Sequence, residues 1–234
     1  MFEEKQKYKL LLFDLDNTLW DFETNAREAI RDILTEQNLM QKIVAFDEFY
    51  CRYEKHNNRL WTEYEAGNLK KEDLRTLRFH LALQEFGVHD YELARHCGEN
   101  YIALCPKKTA LFPDTIATLD YLLPKYTMAI ITNGFSEVQH VKIAACGLDK
   151  YFQRVFISEE VGYQKPHAGI FHAAVTAFHN TKKTALMIGD NWENDIAGAK
   201  KYGIGQVYYN PRRMHCDGKP TFEIERLEQL KGFL

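Results

Sequence analysis

The sequence predicts an α/β fold in which helices cover both faces of a parallel sheet and a separate group of helices is inserted after the first strand. Five short apolar runs have the length and composition of buried strands. Helix-period segments lie between the later runs, and such alternation is typical of parallel strands joined by helical crossovers. The stretch from residue 22 to residue 105 contains helical patterns but no strand-like run. The chain of 234 residues is therefore expected to fold as two regions.

Strand-like and helical segments follow one another in the order that a Rossmann-like core requires. The predicted strands are 8–13, 127–132, 154–158, 184–189 and 205–209, and the predicted helices are 114–123, 136–146, 167–178, 194–202 and 224–230. Gly147 and Gly203 follow two of these helices and are typical stop signals. Residues 1–21 and 106–234 are therefore expected to form the Rossmann-like core.

The inserted region has a helical pattern throughout. Its candidate helices are 23–37, 46–66, 71–86 and 91–104, separated in part by Gly67-Asn68 and by Gly87. Four helices of this size can bury their apolar faces against one another. Residues 22–105 are therefore expected to form a four-helix bundle.

Composition and charge argue against several classes of protein. The net charge of −3, without a run of Lys and Arg, gives no reason to expect a nucleic acid polymer or a membrane as a partner. The five cysteines are widely separated and form no C-x-x-C pair, which argues against a disulfide framework and a zinc site. The apolar stretch at residues 10–13 is too short for a signal or membrane-spanning segment. A cytoplasmic protein is expected, and no protein partner is indicated.

Polar groups stand at the carboxyl ends of four predicted strands, where open parallel sheets bind ligands. In chain order they are Asp14 and Asp16, then Thr132-Asn133-Gly134, then Lys165, and finally Gly189-Asp190 with Asp195. The predicted fold brings these groups together at one edge of the sheet.

The first two carboxylates are separated by one residue, and in extended chain such side chains face the same side. Asp14 and Asp16 can therefore address one ligand, and a hard cation such as Mg²⁺ would relieve their repulsion. Asp190 could add a third carboxylate. The alternative is that this segment only ends a strand and caps a helix through Asn17 or Thr18.

Thr132 and Lys165 are candidate phosphate-binding groups. The Thr132 hydroxyl and the following backbone N–H groups could form an anion-binding nest, although an ordinary turn with Ser136 as helix cap gives the same pattern. Pro166 would fix the backbone so that the Lys165 ammonium can be aimed at a phosphate, although a solvated lysine is the alternative. Asp195 could orient Lys165 or metal-bound water.

Taken together, four motifs resemble those of the haloacid dehalogenase-like hydrolase superfamily. They are D-L-D-N-T at 14–18, I-T-N-G at 131–134, Q-K-P at 164–166 and G-D-N-W-E-N-D at 189–195, in this order at strand ends. The resemblance implies that the inserted bundle is a cap domain. It also implies that Asp14 attacks phosphorus and that Asp16 is the general acid and base.

The same resemblance implies roles for the remaining motif residues. Thr132 and Lys165 would bind the phosphoryl oxygens. Mg²⁺ would be held by the Asp14 carboxylate, the Asp16 carbonyl and Asp190. These roles make the chain a phosphoric monoester hydrolase whose partner is a small-molecule phosphate ester.

A closer resemblance is to the pyrimidine 5′-nucleotidase branch, through I-T-N-G-F at 131–135 and I-S-E-E-V-G at 157–162. It implies a nucleoside 5′-monophosphate as substrate, with Asn133 and Gly134 near the substrate. Trp20 and Phe22 could stack on a base, with core packing as the alternative. For Trp61 and Tyr64, packing is the preferred interpretation because their spacing is helical.

Several other functions stay open on the same fold. A sugar-phosphate or phosphoglycolate phosphatase and a phosphomutase would use the same carboxylates. A catalytically silent binding protein is a further alternative, although each motif residue is present. A metal-independent dehalogenase conflicts with Asp16, because the resemblance implies an aromatic residue at that position in dehalogenases.

Overall fold

A computed structural model describes residues 7–43 and 45–234. The chain forms two compact units, one made of the described residues up to Phe22 together with Thr109–Leu234, and the other made of Glu23–Lys108. The charged segment at residues 1–5, for which the sequence predicts no targeting function, lies outside the described residues.

The first unit contains a six-stranded sheet in which each neighbouring pair is parallel. Its strands are β1 (Leu10–Phe13), β2 (Thr127–Thr132), β3 (Arg154–Ile157), β4 (Ala185–Gly189), β5 (Gly205–Tyr209) and β6 (Phe222–Ile224). They are ordered β3-β2-β1-β4-β5-β6. This architecture confirms the predicted Rossmann-like α/β class.

Helices connect the strands and cover the sheet. They are α5 (Thr115–Leu122), α6 (Ser136–Ala145), α7 (Ser158–Val161), α8 (Ala168–Ala177) and α9 (Gly198–Tyr202). On one face of the sheet, alternate residues of β1, β2 and β4 pack against α8; they include Leu10, Leu12, Ala129, Ile131, Ala185 and Met187. The intervening strand residues, such as Leu11 and Ile188, are also fully buried. Both faces of the sheet are therefore covered, which explains why the strands are continuous apolar runs.

The structure differs most from the predicted elements in three places. The predicted helix 194–202 is a π-helical turn, Trp192–Ala197, followed by α9. The predicted tail helix 224–230 is a 3-10 helix, Leu227–Gly232, and β6 precedes it. Ser158, predicted as the last residue of a strand, begins the short helix α7. A three-residue strand such as β6 is too short to produce a clear sequence pattern.

Helices form the second unit. They are α1 (Phe22–Glu36, whose first residue belongs to the first unit), α2 (Phe46–Glu65), α3 (Lys71–Gln84) and α4 (Tyr91–Leu104). Aromatic rings from α2, α3 and α4 meet in its core, with the Tyr53 centroid 5.0 Å from Phe79 and 6.2 Å from Tyr101. Within the described part of the chain, no helix combines the length and apolar character needed to cross a membrane.

Candidate active site

Three carboxylates meet at the carboxyl ends of β1 and β4. These strands are neighbours in register, and the Asp14 backbone N–H donates to the Ile188 carbonyl oxygen at an N···O distance of 2.9 Å. Asp14 and Asp190 therefore leave the sheet side by side, and the π-helical turn adds Asp195. One carboxylate oxygen from each aspartate lies within 4.8 Å of the others.

A buried ammonium joins two of these carboxylates. Lys165 is 3% exposed, and its Nζ lies 2.6 Å from Asp14 Oδ1 and 2.6 Å from Asp195 Oδ1. The side chain is therefore aimed into the carboxylate cluster, and the surface-lysine alternative does not describe it.

Negative charge in this cluster exceeds positive charge. Burial raises the pKa of Asp14 to about 7, against the favourable charge of Lys165. Burial also raises the pKa of Asp190 to about 8, and the neighbouring Asp14 charge adds to this effect. Burial alone would lower the pKa of Lys165, but the Asp14 and Asp195 charges outweigh it and raise that pKa. The site is therefore built for one more positive charge.

Asp195 is held at both of its carboxylate oxygens. Oδ1 accepts from Lys165, and Oδ2 accepts from the Asn191 backbone N–H at 3.0 Å. Gly189 leaves the space for this side chain, because a Cβ there would lie 2.3 Å from Asp195 Oδ2. Asp195 is therefore in a position to orient Lys165, and the orienting role that the sequence predicts for it stays a prediction.

The donor set fits a magnesium ion. Asp14 and Asp190 offer hard carboxylate oxygens with raised pKa values, and the Thr18 hydroxyl orients Asp190 by donating to Oδ1 at 3.1 Å. The Asp16 side chain is not part of this carboxylate cluster. Its expected contribution to the metal, through the backbone carbonyl, stays a prediction.

The loop after β2 places Thr132 and fixes the Lys165 loop. Thr132 Oγ1 accepts from the Gly134 backbone N–H at 3.2 Å and from Gln139 Nε2 at 2.6 Å, so its own proton remains free to donate to a phosphoryl oxygen. The Asn133 side chain donates to the Lys165 carbonyl and accepts from the Lys165 N–H. This geometry makes the Asn133 side chain a support for the Lys165 backbone. The predicted contact of Asn133 and Gly134 with a substrate stays a prediction.

Two residues on α6 that the sequence reasoning missed contact Asp16. Lys142 Nζ lies 2.5 Å from Asp16 Oδ1, and Gln139 Nε2 lies 2.8 Å from Asp16 Oδ2. Both contacting side chains are buried. The available signal was the i, i+3 spacing of two polar residues on a helix predicted to cover the sheet.

The aromatic residues beyond the first loop differ in exposure. Trp20 is fully buried, and the Lys142 ammonium lies 4.2 Å from its ring centroid. This position favours the packing alternative for Trp20 over base stacking. Phe22 is partly exposed, with its ring edge-on to Trp20. In the second unit, Trp61 and Tyr64 are in T-shaped contact with each other and partly buried.

A buried carboxylate held by an ammonium beside a hard-cation site suits nucleophilic attack on a phosphoric monoester. The family model of haloacid dehalogenase-like hydrolases matches residues 8–203. The chain therefore belongs to the haloacid dehalogenase-like hydrolase family.

Known relatives extend along nearly the whole chain. Pyrimidine 5′-nucleotidase PynA of Streptococcus pneumoniae is 31% identical, over 95% of this chain and 93% of its own. The magnesium-bound structure of the HAD-hydrolase YfnB from Bacillus subtilis is 27% identical, with a TM-score of 0.87 over 97% of this chain and 98% of its own. A 2-haloacid dehalogenase from Pseudomonas syringae is 29% identical, with a TM-score of 0.66 over 97% of each chain. The predicted family and the resemblance to its nucleotidase branch are confirmed.

Proposed function

We propose that the protein is a magnesium-dependent phosphohydrolase that releases phosphate from a pyrimidine nucleoside 5′-monophosphate through an aspartyl-phosphate on Asp14. The observation that carries this proposal is the Asp14 carboxylate, buried beside Asp190 and held by Lys165 at 2.6 Å. A carboxylate fixed at one oxygen keeps its other oxygen for attack.

In the first step, Asp14 donates an electron pair to phosphorus and the bond from phosphorus to the ester oxygen breaks. The leaving oxygen takes a proton from Asp16, which becomes a carboxylate, and the products are the alcohol and a phosphorylated Asp14. Lys165 and the free proton of Thr132 bind the phosphoryl oxygens during this transfer.

In the second step, water attacks the phosphorus of phosphorylated Asp14. Asp16 takes a proton from that water, the bond between Asp14 and phosphorus breaks, and inorganic phosphate leaves. The two steps restore Asp14 as a carboxylate and Asp16 as an acid.

Asp14 and Asp190 would hold the magnesium ion, with the Asp16 carbonyl as the further expected ligand. When bound, the ion would supply positive charge that offsets the repulsion between the Asp14 carboxylate and the phosphoryl group. Asp195 accepts a hydrogen bond from Lys165 Nζ and would keep this ammonium in place.

Magnesium affinity is expected to increase with pH. Burial raises the pKa values of Asp14 and Asp190 in the metal-free protein to about 7 and about 8, so Mg²⁺ must displace protons at lower pH. Calorimetry between about pH 6 and about pH 9, in buffers of different ionisation enthalpy, should show tighter binding and less proton release as pH rises. An affinity that is independent of pH would contradict this site, and Asp190→Asn is the matched variant with weakened binding.

The substrate class rests on the relatives and on the aromatic surface. PynA is a pyrimidine 5′-nucleotidase by name, and Phe22 remains a partly exposed ring after the first strand-end loop. A sugar-phosphate or phosphoglycolate phosphatase and a phosphomutase would keep the same steps with a different alcohol or acceptor. The dehalogenase relative makes 2-haloacid hydrolysis a second candidate, although Asp16 is held by two donors where that chemistry needs no acid.

A substrate panel tests the proposal. Phosphate release is measured from nucleoside monophosphates, sugar phosphates and phosphoglycolate, and halide release from 2-chloropropionate, each with Mg²⁺ and with a chelator. We expect magnesium-dependent turnover with preference for pyrimidine nucleotides. Preference for another ester would replace the substrate class, halide release would favour the dehalogenase, and no turnover at all would favour the silent binding protein.

A further inference from the structure

Two buried polar side chains of α6 hold the Asp16 carboxylate from both oxygens. Lys142 Nζ reaches Oδ1 at 2.5 Å and Gln139 Nε2 reaches Oδ2 at 2.8 Å. Lys142 is 4% exposed and Gln139 is fully buried. Burial of an ammonium or an amide is costly unless specific partners compensate it. Asp16 is therefore a partner that offsets the cost of burying both side chains.

Gln139 also ties Asp16 to Thr132. Its Nε2 donates to Thr132 Oγ1 at 2.6 Å as well as to Asp16, so one amide group sets the separation of two side chains of the proposed mechanism. Because a carboxylate only accepts hydrogen bonds, the Gln139 amide must turn its NH₂ group and not its oxygen toward the Asp16 carboxylate. Its Oε1 has no hydrogen-bond partner among the described residues, so the arrangement is not the one that maximises stability.

Gly134 provides the space that Gln139 occupies. A Cβ at Gly134 would lie 2.2 Å from Gln139 Nε2 and 2.4 Å from its Cδ. The backbone of Gly134 is not in the left-handed region, so this glycine is explained by space and not by conformation. The I-T-N-G motif thus leaves room for a side chain from the following helix.

Aromatic rings fix the position of the Lys142 ammonium. Nζ lies 4.2 Å from the Trp20 ring centroid and 5.7 Å from that of Phe22. A cation over two rings and against one carboxylate has little freedom to turn elsewhere. Trp20 therefore helps to hold Lys142 against Asp16.

We propose that Gln139 and Lys142 are positioning residues for the general acid and base, and the inference rests on the role of Asp16 in the proposed function. They fix the Asp16 carboxyl group in the orientation that delivers its proton to the leaving oxygen. Each Asp16 oxygen keeps a second lone pair that can carry this proton. When the proton leaves, the new carboxylate lies beside the Lys142 ammonium, which offsets its charge.

Two substrates with different leaving groups distinguish a positioning role for Gln139 and Lys142 from a purely structural one. An alkyl ester such as uridine 5′-monophosphate needs protonation of its leaving oxygen, whereas p-nitrophenyl phosphate needs little. In Lys142→Met, kcat/KM for the alkyl ester is expected to fall on the order of 10²-fold, while that for the aryl ester stays within about threefold. Gln139→Met also releases Thr132, so both values are expected to fall, that for the alkyl ester by about tenfold more. Equal losses for both esters would overturn the assignment.

Matched variants control for general effects of substitution. Gln153→Met and Lys201→Met remove an exposed glutamine and an exposed lysine of the same unit, and both are expected to leave the two kcat/KM values unchanged. Gly134→Ala should reproduce the selective loss, because its methyl group displaces the Gln139 amide. This variant keeps the inference testable if Gln139→Met does not fold.

A measurement without turnover tests the contact itself. The side-chain amide protons of Gln139 are expected to exchange slowly with solvent in ¹⁵N NMR spectra, and their signals should shift in Asp16→Asn. Rapid exchange, as for Gln153, would overturn the inference even in an active enzyme. A wild-type protein with a protected Gln139 amide that hydrolyses neither ester would instead remove the proposed function, and with it the role assigned to Asp16.

Discussion

Asp14→Asn is expected to lower magnesium-dependent phosphate release by on the order of 10⁴-fold or more, the range seen when a covalent nucleophile is removed. The amide is a poor nucleophile at phosphorus, and among the described residues no second carboxylate occupies the position of Asp14. Phosphate release with the best ester of the panel gives the measurement. Asp149→Asn, an exposed aspartate of the same unit, is the matched control and should retain wild-type activity.

The same variant is expected to fold at least as well as the wild-type protein. Burial raises the pKa of Asp14 to about 7, so its ionised form is disfavoured in the folded protein. The neutral amide removes this cost, and its oxygen can still accept from Lys165. Thermal unfolding at neutral pH should therefore show an unchanged or higher Tm. Substantial residual turnover in a well-folded variant would show that Asp14 is not the nucleophile.

Lys165→Met is expected to impair both turnover and stability. Loss of the charge at the phosphoryl oxygens should lower kcat about 10²- to 10³-fold, which is the usual effect of removing one fixed transition-state donor. The substitution also leaves Asp14 and Asp195 buried without their shared cation, which should lower the free energy of unfolding by about 3–5 kcal/mol.

The stability loss of Lys165→Met is expected to depend on pH. Burial already raises the pKa of Asp14, so this carboxyl group is neutral below about pH 7 and then needs no cation. Denaturant unfolding at about pH 5 and about pH 8 should therefore show the larger deficit at the higher pH. Lys201→Met, which removes an exposed ammonium, is the control. A Lys165→Met protein as stable as this control would show that the buried ion pairs of Lys165 do not stabilise the fold.

Periodicity and strand-end motifs were sufficient to predict five of the six strands in the described sheet and the polar groups at their carboxyl ends. β2 and β5 have the predicted bounds, and α4 spans the predicted residues. A parallel sheet brings the carboxyl ends of its strands together. The proximity of Asp14, Asp190 and Lys165 was therefore predictable from the order of strands and loops along the chain.

Side-chain partners were not predictable in the same way. The sequence does not show that Gln139 crosses over Gly134, or that the Asn133 amide is used by the Lys165 backbone. The sequence does not decide whether Trp20 stacks on a base or packs in the core, because its burial depends on which face of the loop turns inward. The π-helical turn that carries Asp195 was also missed, since its extra residue per turn leaves no mark in a short polar segment.

The double hydrogen bond between the Asn133 side chain and the Lys165 backbone ties together two loops that are 32 positions apart in the chain. Movement of either loop would displace Thr132 and Lys165 together, so a mutation cannot change the position of one of these residues without the other. Selection for a new substrate is therefore expected to keep these two hydrogen bonds and to change residues elsewhere. Natural diversification would then alter recognition while inheriting the chemistry unchanged.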